Sequence, residues 1–405
     1  MFRLLFEYGP LLAWIVLLFT FVGGLRFKRG DYAFALGFVL FFASQKFLIY
    51  KYFGGDSFVP DLPERLVNFT GWTYSSCMLL FVGSSIWWVL SKIMHRWRKW
   101  RRWRRWKRDQ SWASLQHRDN ADERALRIDR TVLTTMAVGS MLLAGWGIWE
   151  GIRVPRVKEV EVVVRHLPHA FDGLRLVQVS DLHCSPAARR ERTEGIVEVV
   201  NSLHADLVCI TGDFVDGTVE KRRSDVSPLQ KIKSTYGTFA CTGNHEYYHD
   251  YSLWGTQFRA LGIRMLDNSH EVLVRGGQRL VVGGVTDFAA ETNDRRMMDG
   301  PNIGKAFEGA PFGAPRILLQ HRPIGFEFNS TVHNVDLQLS GHTHGGAILG
   351  LDQLVKRVND QRVRGLYELP NGSKLYVSSG TGQWAGFPLR LGVPAEITLL
   401  VLRAR

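Results

Sequence analysis

Two patterns of apolar residues divide the chain. In the first part the apolar stretches are long: residues 8–25 run 18 positions without a charge, 66–91 run 26 and 131–149 run 19. Each is close to the ~20 residues that a helix needs to cross the hydrocarbon of a bilayer. Residues 32–50 form a fourth candidate, in which Lys46 lies near enough to the end for its ammonium to reach the headgroups. A buried core helix has an apolar run of about 10–14 residues, which these exceed. The pattern predicts an N-terminal bundle of about four transmembrane helices within residues 1–153. After it the runs shorten and alternate with helical stretches, which predicts an α/β domain with buried strands over residues 154–405.

With 405 residues, 45% of them hydrophobic and 22% charged, the chain is neither disordered, collagen-like nor a coiled coil. Its net charge of +13 belongs to the first part, where residues 1–153 carry 22 Lys/Arg against 11 Asp/Glu. Eleven of the 13 tryptophans also lie there, and indoles suit membrane interfaces. With four spans, the loops 26–31 and 92–130 share one side and hold 17 basic residues, whereas 1–7 and 51–65 lie opposite with three. Positively charged loops are retained in the cytoplasm, so the amino terminus and the chain after the fourth span are expected outside. The expectation is a multi-pass protein of the cell (inner) membrane with its catalytic domain on the periplasmic or extracellular side. Residues 127–151 share the charged lead and apolar stretch of a signal peptide but lack a convincing small-residue cleavage site, and they read as an anchor.

Residues 92–108 hold ten Lys/Arg and no acid, with Trp97, Trp100, Trp103 and Trp106 at intervals of three. Such a segment can bind nucleic acid through phosphate pairing and base stacking. It can also be a juxtamembrane helix whose cations meet anionic headgroups, each contributing about 1 kcal/mol. Its direct attachment to a span favours membrane lipids as the partner over nucleic acid. Cys77, Cys184, Cys209 and Cys241 show no short repeated spacing, so neither a disulfide framework nor a thiolate zinc site is indicated, and buried free thiols are expected.

In the second part the apolar runs matter because of what ends them. LRLVQVSDLH ends in Asp181 and His183, ADLVCITGD in Asp213, TFACTGNHE in Asn244, His245 and Glu246, RILLQH in His321, and VDLQLSGHTH in His342 and His344. Open α/β sheets place their sites where the loops leave the carboxyl ends of strands. The donors are carboxylates, imidazoles and one carboxamide, a set that suits Mn²⁺, Fe or Zn²⁺. Seven candidate ligands exceed one tetrahedral site, and two divalent metals sharing a carboxylate would use them all. In extended chain the side chains of Asp181/His183 and of His342/His344 point the same way.

The order Asp181-Leu-His183, Gly212-Asp213, Gly243-Asn244-His245, His321 and Gly341-His342-Thr-His344 resembles the calcineurin-like metallophosphoesterase superfamily over roughly residue 157 to the end. LPHAFDGLRLVQVSDLH, TYGTFACTGNHEYY and SGHTHGG look like its membrane-associated bacterial branch of YkuE/YaeI-type phosphodiesterases, although Ala347 stands where that branch has Gln. The resemblance implies an α/β fold with a β-sandwich flanked by helices. It places Asp181, His183 and His344 on a first metal and Asn244, His321 and His342 on a second, with Asp213 bridging. It also implies that the catalytic His245 faces the phosphate, where it can stabilise developing charge or protonate the leaving oxygen. Two cations about 3.5–4 Å apart can activate a bridging hydroxide and clamp phosphoryl oxygens, so no Ser or Cys nucleophile is needed.

The expected activity is a membrane-anchored, metal-dependent phosphodiesterase acting on a phosphate ester, with the anchor favouring a lipid-linked one. A UDP-2,3-diacylglucosamine-type pyrophosphate hydrolase is the alternative within the branch, but that substrate is used at the cytoplasmic leaflet. A non-enzymatic basic membrane- or nucleic-acid-binding protein is the alternative outside it. Among the remaining polar residues, Glu246, His249 and Asp250 read as solvent-facing loop residues. Asp216 reads as the start of the Asp216-Gly217 turn, and Arg390 as a surface arginine or a phosphate contact.

Overall fold

The computed structural model describes residues 55–56, 59–60, 62–109, 118–292, 299–384, 386 and 388–405. Two compact units meet in sequence at Trp146, the first including Leu66–Trp146 and the second Gly147–Arg405. Within the first, helix α1 spans Glu64–Asp109, and α2 runs over Arg118–Ile152 into the second unit. Each contains one of the expected spans, and both are long and apolar enough to cross a membrane. The expected spans at residues 8–25 and 32–50 lie outside the described residues. Leu66, Phe69, Ile86, Val89 and Leu142 are exposed along these helices, as a lipid-facing surface requires. The helices touch where the Trp72 indole donates to the Met141 carbonyl at 2.8 Å and the Trp87 indole to Asp129 at 3.2 Å.

The connection between the last two expected spans, residues 92–130, is helical over 92–109, where a juxtamembrane helix was expected at 92–108, and over 118–130. Arg and Lys are good helix formers, and the three-residue Trp spacing puts each indole four residues before a cation. Arg101 lies over Trp97, Arg104 over Trp100 and Lys107 over Trp103, at 4.5, 4.3 and 4.6 Å from the ring centres.

The second unit packs two six-stranded sheets face to face. The first has the order β1 (Arg156–Val163), β12 (Glu396–Arg403), β2 (Leu174–Val179), β3 (Leu207–Thr211), β4 (Thr238–Cys241), β5 (Ile263–Met265). The second has the order β10 (Gly365–Glu368), β11 (Lys374–Val377), β9 (Leu337–Ser340), β8 (Arg316–Leu319), β7 (Gln278–Gly284), β6 (Ser269–Arg275). Parallel pairing joins β2 to β3 to β4 in one sheet and β7 to β8 to β9 to β11 in the other. Their carboxyl ends therefore emerge on the same side within each sheet.

The apolar runs follow from burial on both faces. Leu174, Leu176, Leu207, Cys209, Phe239 and Cys241 point between the sheets and meet Leu280, Val282, Ile317, Leu319, Leu337 and Leu339. Their neighbours Val177, Val179, Val208, Ile210 and Ala240 face outward against helices α3 (Arg190–Ser202) and α5 (Tyr251–Ala260), through Ile196, Val197, Trp254 and Phe258. The outer face of the second sheet is covered by Ala306, Phe307 and Val335. This is the expected α/β sandwich flanked by helices, and Cys184, Cys209 and Cys241 are buried free thiols as expected.

Candidate metal centre

Each expected residue sits two to four positions beyond the end of a buried strand. Asp181 and His183 follow β2, Asp213 follows β3, His321 follows β8, and His342 and His344 follow β9. Asn244 and His245 open the short helix α4 (Asn244–Tyr248) after β4. Asp181, His183, Asp213, His342 and His344 all have positive φ, between 45° and 69°. Such conformations cost of order 1–3 kcal/mol each in a non-glycine residue and persist where the surroundings impose them, which is common at functional sites. Gly243 and Gly341 let the loops approach: a Cβ on the first would collide with Asp213 and on the second with Asp181.

Two triads form, one of Asp181, His183 and His344, the other of Asp213, His321 and His342, and Asp213 also groups with His183 and His245. Asp213 Oδ2 lies 3.2 Å from His321 Nε2, 3.7 Å from His183 Nε2 and 4.0 Å from His245 Nε2. Asp181 Oδ1 is 3.6 Å from His344 Nε2. The ring nitrogens also face one another, with His183 Nε2 3.0 Å from His344 Nε2 and His342 Nδ1 3.2 Å from His321 Nε2. Asn244 lies between Gly243, which abuts Asp213, and His245, whose backbone N–H donates to Asp213 Oδ1 at 3.0 Å.

Buried partners orient these rings. Asp216 Oδ1 is hydrogen-bonded to His183 Nδ1 at 3.1 Å, leaving Nε2 of that ring to the centre, and makes a charge contact with His245 Nδ1 at 2.6 Å. His321 Nδ1 donates to the Thr211 carbonyl at 2.7 Å. Glu246 accepts the backbone N–H groups of Asp213, Phe214 and Gly243 at 3.0, 2.7 and 2.7 Å. Arg390 is wholly buried, donates to the carbonyls of Ser379 and Gly382 at 2.8 and 2.7 Å, and sets Nη2 3.2 Å from His344 Nδ1.

The charges are uneven. Burial opposes ionisation of Asp213, but the imidazoles of His321, His245 and His183 outweigh it and hold its carboxyl well below the usual range. Burial likewise opposes a charge on His321, yet Asp213 and Asp181 raise it to about 10. His245 is raised against burial to about 9 by Asp213 and Asp216. His342 and His344 are pushed far down by burial and by neighbouring cations, His321 for the first and His183 for the second.

Divalent metals fit this donor set. His342 and His344, both held neutral by burial, stand with His321, His183, Asp181 and Asp213 as nitrogen and oxygen atoms within 4.8 Å of one another in each triad, a set that a cation satisfies. The side-chain oxygen of Asn244 is buried without a hydrogen-bond donor, the condition of a ligand awaiting a cation. Nitrogen and oxygen donors point to Mn²⁺, Fe or Zn²⁺ without selecting among them.

Three supporting residues depart from the sequence reading. Glu246, expected in a solvent-facing loop, is fully buried; Asp216, expected to start a turn, is buried against two imidazoles; Arg390, expected at the surface or on a phosphate, is buried behind His344. The only signal for Glu246 was its place three residues after Gly243, where a carboxylate can return to the first N–H of a helix.

The family model for calcineurin-like phosphoesterases matches residues 174–346, from the start of β2 past the last expected ligand. Over 256 residues the chain is 38% identical to an uncharacterized metallophosphoesterase of Helicobacter pylori, a match covering 63% of this chain and 66% of that one. It is 35% identical over 267 residues to a transmembrane protein with metallophosphoesterase domain of Danio rerio, covering 65% of this chain and 60% of the relative. The uncharacterized metallophosphoesterase YkuE of Bacillus subtilis is 25% identical, with 66% of this chain and 94% of that one matched. The chain thus spans just under two thirds of the length of the first two relatives. Four strand ends that deliver two Asp/His triads, with Asn244 and His245 from a fifth, and the family match that encloses them, make the chain a member of the calcineurin-like metallophosphoesterase family.

Proposed function

We propose that the second unit hydrolyses a phosphodiester with two divalent cations, and that its substrate is lipid-linked. One observation carries the two-cation reading: Asp213 lies within 4 Å of imidazoles from both triads, 3.2 Å from His321 and 3.7 Å from His183, so one carboxylate serves both. Asp181, His183 and His344 would hold one ion and Asn244, His321 and His342 the other. Ions bound there would activate water and neutralise charge on the phosphoryl oxygens.

The remaining steps belong to the chain. Asp216 fixes the His245 ring and, with Asp213, keeps it protonated near neutral pH. That imidazolium can donate to a phosphoryl oxygen or pass its proton to the leaving oxygen, the role of a general acid. Glu246 holds the Asp213 backbone so that its carboxylate need not reorganise as charge develops.

A diester is favoured over a monoester by resemblance to the phosphodiesterase branch, and a lipid-linked substrate by two apolar helices in the same chain. The excess of Lys and Arg in loops 26–31 and 92–130 supports a periplasmic or extracellular position for the second unit. The experiment is hydrolysis of a chromogenic diester and monoester by the full chain in detergent with Mn²⁺, beside His245→Ala. Diester turnover with the higher kcat/KM, lost in the variant, is expected. Turnover of the monoester alone contradicts the diester reading, and turnover of neither contradicts the hydrolytic one.

A further inference from the structure

The loop that carries His344 runs directly into a short helix, Asp352–Arg357. Its amino end is fixed to the ligand loop: Arg364 donates to the Gly345 carbonyl at 2.5 Å and to Asp352 at 2.9 Å, and Gly346 packs against Asp352 so closely that a Cβ would collide with it. The helix is amphipathic in the reverse of the usual sense. Leu351 just before the helix, Leu354 within it and Val358 just after it recur at i, i+3 and i+7, the spacing of one helical face, yet they are 42, 58 and 73% exposed. Leu349, just before them, is 66% exposed. Asp352, on another face, is buried. The exposed Arg357, three residues after Leu354, borders the apolar residues, whereas Lys356 lies on the side of the buried Asp352.

An apolar stripe turned to water marks an interaction surface. We infer that Leu349, Leu351, Leu354 and Val358 dock on a phospholipid surface bearing anionic headgroups. Two features select lipid as the occupant. An exposed arginine at the edge of an apolar face suits the boundary between headgroups and acyl chains, and the same chain carries two helices fit to cross a bilayer. Docking there brings the helix-bound loop of His344 to the headgroups. The inference stands apart from the hydrolytic reading, because it concerns which surface the face meets and not the reaction.

The test uses the full chain in nanodiscs of phosphatidylcholine and phosphatidylglycerol, with Cys77→Ser and an environment-sensitive fluorophore on Leu354→Cys. Val274→Cys, an exposed position on the edge strand β6, is the control. The Leu354 probe is expected to shift to the blue and to be quenched by spin-labelled lipid, with the Val274 probe unaffected. Equal emission and quenching at the two positions overturns the inference. A blue shift without lipid quenching also overturns it, because a protein then covers the stripe. Val358→Cys repeats the reading should Leu354→Cys not fold.

Discussion

Glu246 accepts the backbone N–H of Asp213 at 3.0 Å, and so fixes the left-handed backbone that presents the shared carboxylate. The same side chain takes the N–H groups of Phe214 and Gly243 and is fully buried. Glu246→Ala leaves three donors without a partner. Each such group costs about 1–3 kcal/mol, so a loss of at least about 3 kcal/mol is expected. The thermal midpoint in detergent reads it, and an unchanged midpoint contradicts the role.

Asp216 lies behind His183 and His245. Asp216→Asn is expected to weaken Mn²⁺ binding by about 10–100-fold, the usual cost of removing a carboxylate that orients a ligating imidazole. It also removes one of the three carboxylates, Asp213, Asp216 and Glu246, that raise His245 to about 9. His245 is the acid below its pKa, so lowering that pKa moves the alkaline fall in activity to lower pH. A pH–rate profile checks this, and an unmoved alkaline limb contradicts it.

Metal binding should release protons. Without metal His321 is raised to about 10 by Asp213 and Asp181 against its burial, so it is charged at neutral pH and must lose its proton to become a ligand. Apparent affinity for Mn²⁺ therefore rises with pH through neutrality and levels off only above about pH 10. Calorimetric titrations at pH 7 in buffers of different ionisation enthalpy should differ in heat. Identical heats mean that the ligand is already neutral.

Arg390 joins the loop after β11 to the ligand His344. Replacing the buried guanidinium by Met leaves the Ser379 and Gly382 carbonyls without their donor. A destabilisation of about 3 kcal/mol is expected from breaking such a buried charged network. Removing a cation 3.2 Å from His344 Nδ1 also makes that imidazole a better donor. Arg390→Met should thus melt earlier yet bind Mn²⁺ at the first site no more weakly than the unaltered protein. A folded variant that has lost that ion contradicts the electrostatic part.

The positions of the candidate metal ligands were legible because each follows an apolar run that reads as a buried strand, and parallel strands deliver their ends together. Asp181, His183, Asp213, His321, His342 and His344 converge as the runs imply. Asp216, Glu246 and Arg390 were not legible. Asp-Gly is also an ordinary turn, a carboxylate in a loop is ordinarily solvated, and only tertiary packing buries Arg390 ten residues after its neighbours Gly380 and Ser379. The helical continuation of α1 past the apolar stretch agrees with the juxtamembrane helix that the Trp/Arg run suggested, and the Trp–Arg pairing four residues apart supports it.

The most direct test is the number of ions held per chain, measured by inductively coupled plasma mass spectrometry after saturation with Mn²⁺ and removal of excess. Two ions are expected for the unaltered protein and no more than one for Asp213→Asn. One ion in the unaltered protein, or two retained by Asp213→Asn, contradicts a centre in which a single aspartate serves both triads.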